Sequence, residues 1–202
     1  MSLDKILTRE LDIIGSLTGM VLLSPIYLGI SAAIYFIDGS PIIYEQSCFG
    51  KNGEPFTMYK FRTFEVGYPT VSRLYAQETG VTPRYTKTGR TLRRLKLNEL
   101  PQLYNILKGE MSFVGPRPCL NTDNGDDPHG SILNEARIRE GIADIKPGLT
   151  GYTQLQGGEL ALEEMIRLDR QYLLWENPIY ERIKLLFKTL KYFMNYKQRA
   201  RG

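Results

Sequence analysis

The sequence predicts an α/β fold, mainly helical with a small β-hairpin or sheet, that opens on a helix-break-helix segment. Three observations carry this. Residues 13–37, IIGSLTGMVLLSPIYLGISAAIYFI, hold no charged residue and have Ser24-Pro25 near their middle. Two β-patterned runs, PIIYEQSC (41–48) and PFTMYKFRT (55–63), flank Asn52-Gly53, a strong hairpin signal. The C-terminal run PIYERIKLLFKTLKYFMNYKQRARG places Ile179, Ile183, Leu186, Phe187, Leu190 and Met194 on one helical stripe. A doubly wound sheet is not expected.

At ~1.5 Å per residue, the uncharged run is long enough for the ~30 Å hydrocarbon core of a bilayer. A buried core helix is the alternative, and the length favours the membrane. A secretory signal fits poorly, because Glu10 and Asp12 precede the run and it is too long for such a signal's apolar core. Pro25 has no N–H and its ring crowds the Val21 carbonyl, so a kink is expected, with Ser24 helping to satisfy the freed backbone. Each half then falls short of the core, as in a re-entrant segment that enters and leaves by one face. Lys5 and Arg9 before it, and Lys51, Lys60 and Arg62 after it, give no charge asymmetry. A kinked spanning helix fits the same residues. Two parts are expected: the membrane segment, 1–39, and a larger part, 40–202, that ends in the amphipathic helix.

Residues 65–88 read as a loop with one helical turn near Ser72–Glu78. Residues 98–107, NELPQLYNIL, read as a helix capped by Asn98, with Glu99 and Pro101 in its first turn, Leu100, Leu103, Ile106 and Leu107 on one face, and Gly109 ending it. The polar run 121–130 fails the calcium-loop template and reads as a solvated loop, with His129 at the surface. Residues 145–157, with Gly148, Gly151 and Gly157, read as a tight loop-rich element, and 159–176 as helical. In the C-terminal helix, Lys184, Lys188, Lys191 and Lys197 flank the apolar stripe, with Tyr192 and Tyr196 among them. That pattern suits a membrane interface as well as ordinary packing.

The chain has 202 residues and a net charge of +4, which suits anionic partners without choosing among them. Two cysteines are too few for a disulfide scaffold and one histidine too few for a zinc site. No P-loop or dinucleotide fingerprint supports a kinase or dehydrogenase, and no motif supports nucleic-acid binding. Arginines 90, 93 and 94 with Arg117 are suited to clamp a diphosphate. Glu99 is suited to hold Mg²⁺, which commonly takes one or two carboxylates plus substrate phosphates.

The runs ELDIIGSLTGMVLLSPI, GSPIIYEQ, GKNGEPFTMYKFRT, TKTGRTLRR, NELPQLYNILKGEMSFVGPRP, KPGLTGYTQLQG and LDRQYLLWENPIYERIKLLFKTL occur in this order. Together they resemble the bacterial sugar transferases, the small monotopic phosphoglycosyl transferases, over nearly the whole chain. The resemblance implies a re-entrant helix broken at Ser24-Pro25 and a site on the cytoplasmic face of the bacterial inner membrane. It implies a UDP-sugar donor, a polyprenol (undecaprenyl) phosphate acceptor and Mg²⁺, in the first membrane step of glycoconjugate or exopolysaccharide synthesis. In the family an Asp attacks the donor phosphate, UMP leaves, and the lipid phosphate then takes the sugar phosphate from the covalent adduct. By the same resemblance Glu99 handles metal or phosphate, and Arg93 and Arg117 bind phosphates. Lys60 and Arg62 lie near the site or anchor it from a strand face. A homo-oligomer is left open.

The family's nucleophilic Asp falls on Asn98. An amide is neutral and a poor nucleophile, and loss of a covalent nucleophile costs on the order of 10⁴ to 10⁶ in rate. Three readings stay open: an Asp-to-Asn inactivated variant that traps substrate; a variant in which Glu99 or Glu110 takes the role or the lipid attacks directly; or a chain that binds sugar nucleotide without turnover. The rival to an enzyme is an inactive homologue serving as a membrane scaffold. Smaller departures are Cys48 where the family usually has Arg, Phe64 for a common Met, and Glu110 for Asp.

Overall fold

The computed structural model describes residues 3–122, 127–157 and 160–199, without the side chains of 73, 193 and 195–199. Helix α1 (Leu3–Leu22) and helix α2 (Ser24–Ala33), extended by a π-helical turn over Ile34–Asp38, form a pair bent by 59°. Among the described residues no single helix is long and apolar enough to cross a membrane; the bent pair together passes that test by length and composition. The break falls at Ser24-Pro25 as expected. The Val21 carbonyl, denied an N–H by Pro25, accepts a hydrogen bond from the Ser24 hydroxyl at 2.8 Å.

One face of α1 is small or polar and lies on the body of the protein. A Cβ on Gly15 would fall 2.7 Å from the Phe113 ring, and one on Gly19 3.1 Å from Leu103 Cδ1, so a larger side chain at either position requires its neighbour to shift. Buried Asp12 accepts from the Ser112 hydroxyl and the Phe113 N–H, both at 3.1 Å. The opposite face, Leu7, Leu11, Ile14, Leu17 and Val21, is exposed, as are Leu28 and Phe36 beyond the bend.

Strands β1 (Ile43–Phe49) and β2 (Pro55–Phe61) pair antiparallel, Tyr44 opposite Lys60 and Gln46 opposite Met58. Asn52 and Gly53 turn the hairpin with positive φ, as the dipeptide predicts. Helices α3 (Arg73–Thr79) and α4 (Gly89–Arg94) follow, then a 3₁₀ turn over Leu97–Glu99 and helix α5 (Gln102–Lys108). Strand β3 (Ser112–Val114) pairs parallel with β5 (Gly148–Thr150), and β4 (Cys119–Leu120) adds to the free edge of β1. Helix α6 (His129–Arg139) lies between β4 and β5. Helices α7 (Tyr152–Gln156), α8 (Leu162–Asp169) and α9 (Pro178–Arg199) complete the chain.

Three expectations are corrected. Asn98 caps no helix. Lys96 takes a left-handed conformation (φ 58°), the chain turns tightly through 97–99, and α5 starts only after Pro101, which has no N–H to cap. His129 is not a surface residue of a loop: it opens α6, half-buried, with Nδ1 3.0 Å from Asp127 and Nε2 3.1 Å from Glu78. The 145–157 stretch holds a short strand and a one-turn helix rather than loop alone. Gly109 does end α5, in the left-handed conformation.

Helix α9 buries Leu185 against the body, and half-buried Arg182 donates to the Ser112 hydroxyl and the Val114 carbonyl. Of its sequence-predicted stripe, Ile183, Leu186, Phe187, Leu190 and Met194 point outward, and Ile179 is half-buried. Cys48 and Cys119 sit on adjoining strands but on opposite sheet faces, since Cys48 pairs with Leu120 and Phe49 with Cys119. Both are buried thiols.

Candidate active site

The site is assembled where β2, α4, the 97–99 turn and the loop after β3 meet. Lys60 stands on the last turn of pleat in β2, and its ammonium donates to Gln46 Oε1 at 2.6 Å. Its electrostatic neighbours include Glu99, Arg117 and Arg93, so four of the residues singled out by sequence share one neighbourhood. Burial lowers the Lys60 ammonium from 10.5 to about 8. The Cys48 and Glu99 side chains act upward on it, and Arg117 and Arg93 downward. Burial likewise pushes the Cys48 thiol up to about 12, which keeps it protonated and unreactive.

Arg93, in the last turn of α4, lies over aromatic faces: its guanidinium is 4.9 Å from the Phe64 ring centre and 5.4 Å from that of Tyr85. Phe64 in turn stacks on Tyr68 and Tyr85. The planar cation is thereby oriented by π-faces. Arg90 and Arg94, on the same helix, are exposed.

Arg117 projects into solvent from the loop after β3, and its backbone is tightly held. Arg137 Nη1 donates to the Arg117 carbonyl at 2.8 Å, while Nε and Nη2 donate to Asp169 Oδ2 at 3.0 and 2.6 Å. Both partners of that ion pair are buried. At the start of the same loop, a Cβ on Gly115 would fall 2.2 Å from the Lys146 carbonyl oxygen, so only glycine fits.

Asn98 is 5% exposed and Glu99 half-buried beside it. Among the described residues no group hydrogen-bonds the Asn98 amide or pairs with the Glu99 carboxylate. Lys60 thus shares its electrostatic neighbourhood with two further cations, Arg93 and Arg117, and one carboxylate, Glu99, next in sequence to the neutral amide of Asn98.

Two residues with sequence-assigned roles lie elsewhere. Arg62 is 5% exposed and donates to the carbonyls of Pro41 (2.6 Å), Asp38 (2.9 Å) and Gly39 (2.5 Å). It ties the end of the bent pair to the chain just after β2 and makes none of its hydrogen bonds to the active-site helix. Glu110 lies past the far end of α5, bonded to Asn105 at 2.8 Å and to Lys108. A seven-residue helix puts ~10 Å between the two ends, so Glu110 does not replace the residue at 98.

Sequence reasoning missed Gln46, Phe64, Tyr85, Arg137 and Asp169 as supports of the site. Gln46 was within reach of it: the Asn-Gly turn fixes the hairpin register, which sets Gln46 diagonal to Lys60. Nothing local marks the 32-residue separation of Arg137 and Asp169.

For magnesium, no group of three or more His, Cys, Asp or Glu side chains is assembled among the described residues. The Glu99 carboxylate fits the sparser mode in which substrate phosphates supply further ligands.

The family model described as bacterial sugar transferase matches residues 3–196. The chain belongs to the bacterial sugar transferase family. This sugar transferase is 33% identical over 199 residues to the UDP-glucose:undecaprenyl-phosphate glucose-1-phosphate transferase of Escherichia coli (strain K12), covering 95% of this chain and 41% of that protein. It is 35% identical over 199 residues to the undecaprenyl-phosphate glucose phosphotransferase of Komagataeibacter xylinus, covering 93% of this chain and 36% of that protein. It is 32% identical over 201 residues to the exopolysaccharide production protein ExoY of Rhizobium meliloti (strain 1021), covering 90% and 83%. This transferase thus spans well under half the length of the first two relatives.

Proposed function

We propose that this chain carries the site for moving a sugar-1-phosphate from a UDP-sugar to undecaprenyl phosphate with release of UMP, in exopolysaccharide or related glycoconjugate synthesis. The names of two relatives support the reaction class, and that of a third supports the exopolysaccharide setting. The observation that carries the assignment to this site is that Arg93, Arg117 and Glu99 all act on the Lys60 ammonium, with Glu99 adjoining Asn98 in the 97–99 turn. Three cations neutralise a diphosphate as it breaks, and fixed cations in a partly desolvated site act more strongly than in water. Glu99 would hold Mg²⁺ together with the donor phosphates; when bound, the ion neutralises phosphate charge. In the covalent relay a carboxylate oxygen at position 98 attacks the sugar-linked phosphorus and the bond to UMP breaks. A lipid phosphate oxygen then displaces the carboxylate.

With Asn98 in place, the chain binds the sugar nucleotide but lacks the carboxylate for the first step. The test is UMP release from a panel of UDP-sugars with Mg²⁺ and undecaprenyl phosphate, comparing the chain with Asn98→Asp. The Asp form is expected to turn over at least about 10⁴ times faster. Comparable turnover by the Asn form overturns the relay and makes Glu99 the next residue to remove.

The bent pair is proposed to be re-entrant in the cytoplasmic membrane, with the site on the cytoplasmic face and the outward stripe of α9 at the lipid surface. The exposed apolar faces of α1, α2 and α9 support this. Cysteines placed at Leu3 and Glu45 should both react with an impermeant thiol reagent from the same side of sealed vesicles. Modification from opposite sides makes the pair a kinked span.

A further inference from the structure

The site residues and their immediate neighbours face two ways. Lys60 and Arg93 belong to the charged group of the site, and Asn98 adjoins its Glu99. Phe61, Leu92 and Leu97, each adjacent in sequence, join Leu100 in one apolar cluster behind it. The floor of that cluster is the second limb of the bent pair: Ile30 and Ile34 are buried in it and Tyr27 and Ile42 pack against it. Three separate segments that bear catalytic candidates are thus seated on α2 and its π-helical extension.

Tyr27 makes the most direct connection. Its ring packs on Phe61 with centres 5.5 Å apart, and its hydroxyl donates to the carbonyl of Leu100. That carbonyl also accepts the Leu103 N–H at 3.0 Å, and the Leu100 N–H closes the 97–99 turn on Leu97 at 3.3 Å. One side chain from the bent pair therefore holds the backbone two residues after Asn98. The other end of α5 is held from the same pair, by Arg9 on the carbonyls of Ile106 (2.7 Å) and Leu107 (2.6 Å). Helix α5 is pinned at both ends by one bent element.

We infer that Tyr27 is a positioning residue for the reaction: its hydroxyl fixes the 98–99 turn to α2, so that the seating of the bent pair sets the aim of the group at position 98. This rests on the function proposed above. Misplacement of a reacting group by ~1 Å costs on the order of 10²-fold in rate, so the loss of one tether has a visible effect.

The test uses the full-length protein in lipid nanodiscs and an Asn98→Asp background, with and without Tyr27→Phe. Phenylalanine keeps the ring on Phe61 and removes only the hydroxyl. Tyr35→Phe is the control, because Tyr35 lies on the same limb and is exposed, with its ring against Phe36. UMP release is measured with whichever UDP-sugar the Asn98→Asp form uses fastest, and amide hydrogen exchange is followed alongside. Tyr27→Phe should lower kcat by about 10-fold with the donor KM within about twofold, and should speed exchange in residues 98–103 but not in β1 or β2. Tyr35→Phe should change neither. Unchanged kcat, or a fall shared with KM and accompanied by faster exchange throughout the sheet, overturns the inference. If the Asn98→Asp parent releases no UMP, the functional reading fails instead, and exchange in residues 98–103 alone decides whether Tyr27 holds the turn.

Discussion

At the scale of single residues, the charge state of Lys60 decides the most. Its ammonium, lowered by burial to about 8, is mainly protonated at pH 7 and mainly neutral by pH 9. Binding of UDP, read by calorimetry, should weaken by about 10-fold between pH 7 and pH 9, with proton uptake at the upper end. Lys60→Met should remove that dependence. Stability runs the other way. Because the folded value lies below the unfolded one of 10.5, the unfolded chain binds more protons between about 8 and 10.5, and stability rises with pH across that window. The cost of keeping the charged form buried is present below it, at most ~3 kcal/mol, and Lys60→Met should recover part of it at pH 7. A site that binds anions thus holds a residue that costs stability until the anion arrives.

At the scale of elements, Asn105 fastens α5 to β2. Its side chain, fully buried, accepts the Tyr59 N–H at 3.1 Å and donates to the Thr57 carbonyl at 2.7 Å and to Glu110 at 2.8 Å. Asn105→Ala leaves a strand N–H and a carbonyl unsatisfied and should cost ~2–4 kcal/mol, seen as a lower denaturant midpoint at unchanged slope. The hairpin, the proline break, the end of α5 and the apolar stripe of α9 were all legible in the sequence, because each follows from local chemistry: an Asn-Gly turn, a missing N–H, a glycine with positive φ, a helical repeat. The start of α5 was not, since the left-handed Lys96 that displaces it has no strong local preference for that conformation. Helix α6 was hidden for a similar reason. Buried Gly130, Leu133, Asn134 and Arg137 make a mixed polar face with no clear apolar period. Which stretches bear the site came from motif resemblance. That Arg62 is spent on carbonyls while Arg93 rests on aromatic rings depends on contacts between distant segments.

At the scale of the whole molecule, the Arg137–Asp169 pair joins α6 and α8 to the loop that carries Arg117. Asp169→Asn strips a buried guanidinium of its counter-charge and should cost ~3–5 kcal/mol in thermal or denaturant unfolding. Replacing both partners, with Arg137→Met and Asp169→Leu, should restore most of that stability. UDP binding should stay weakened in the double variant, because the Arg117 carbonyl has lost its donor. If affinity recovers along with stability, the pair is only a core element.

Asp12, Arg9, Tyr27 and the Arg62 contacts bind the bent pair to residues that come much later in the chain. The ribosome makes these partners in a fixed order. At ~5–20 residues per second, residues 3–38 are synthesised several seconds before Leu103, Ile106 and Phe113. During that interval the nascent pair has neither the Leu103 and Phe113 side chains that its glycines later meet nor the amide and hydroxyl that later hydrogen-bond Asp12. On the re-entrant reading, lipid receives the pair first and the body then folds onto it, so delivery to the bilayer comes before completion of the site. A chain kept from lipid during synthesis would wait with both faces open, the natural client of a holding chaperone.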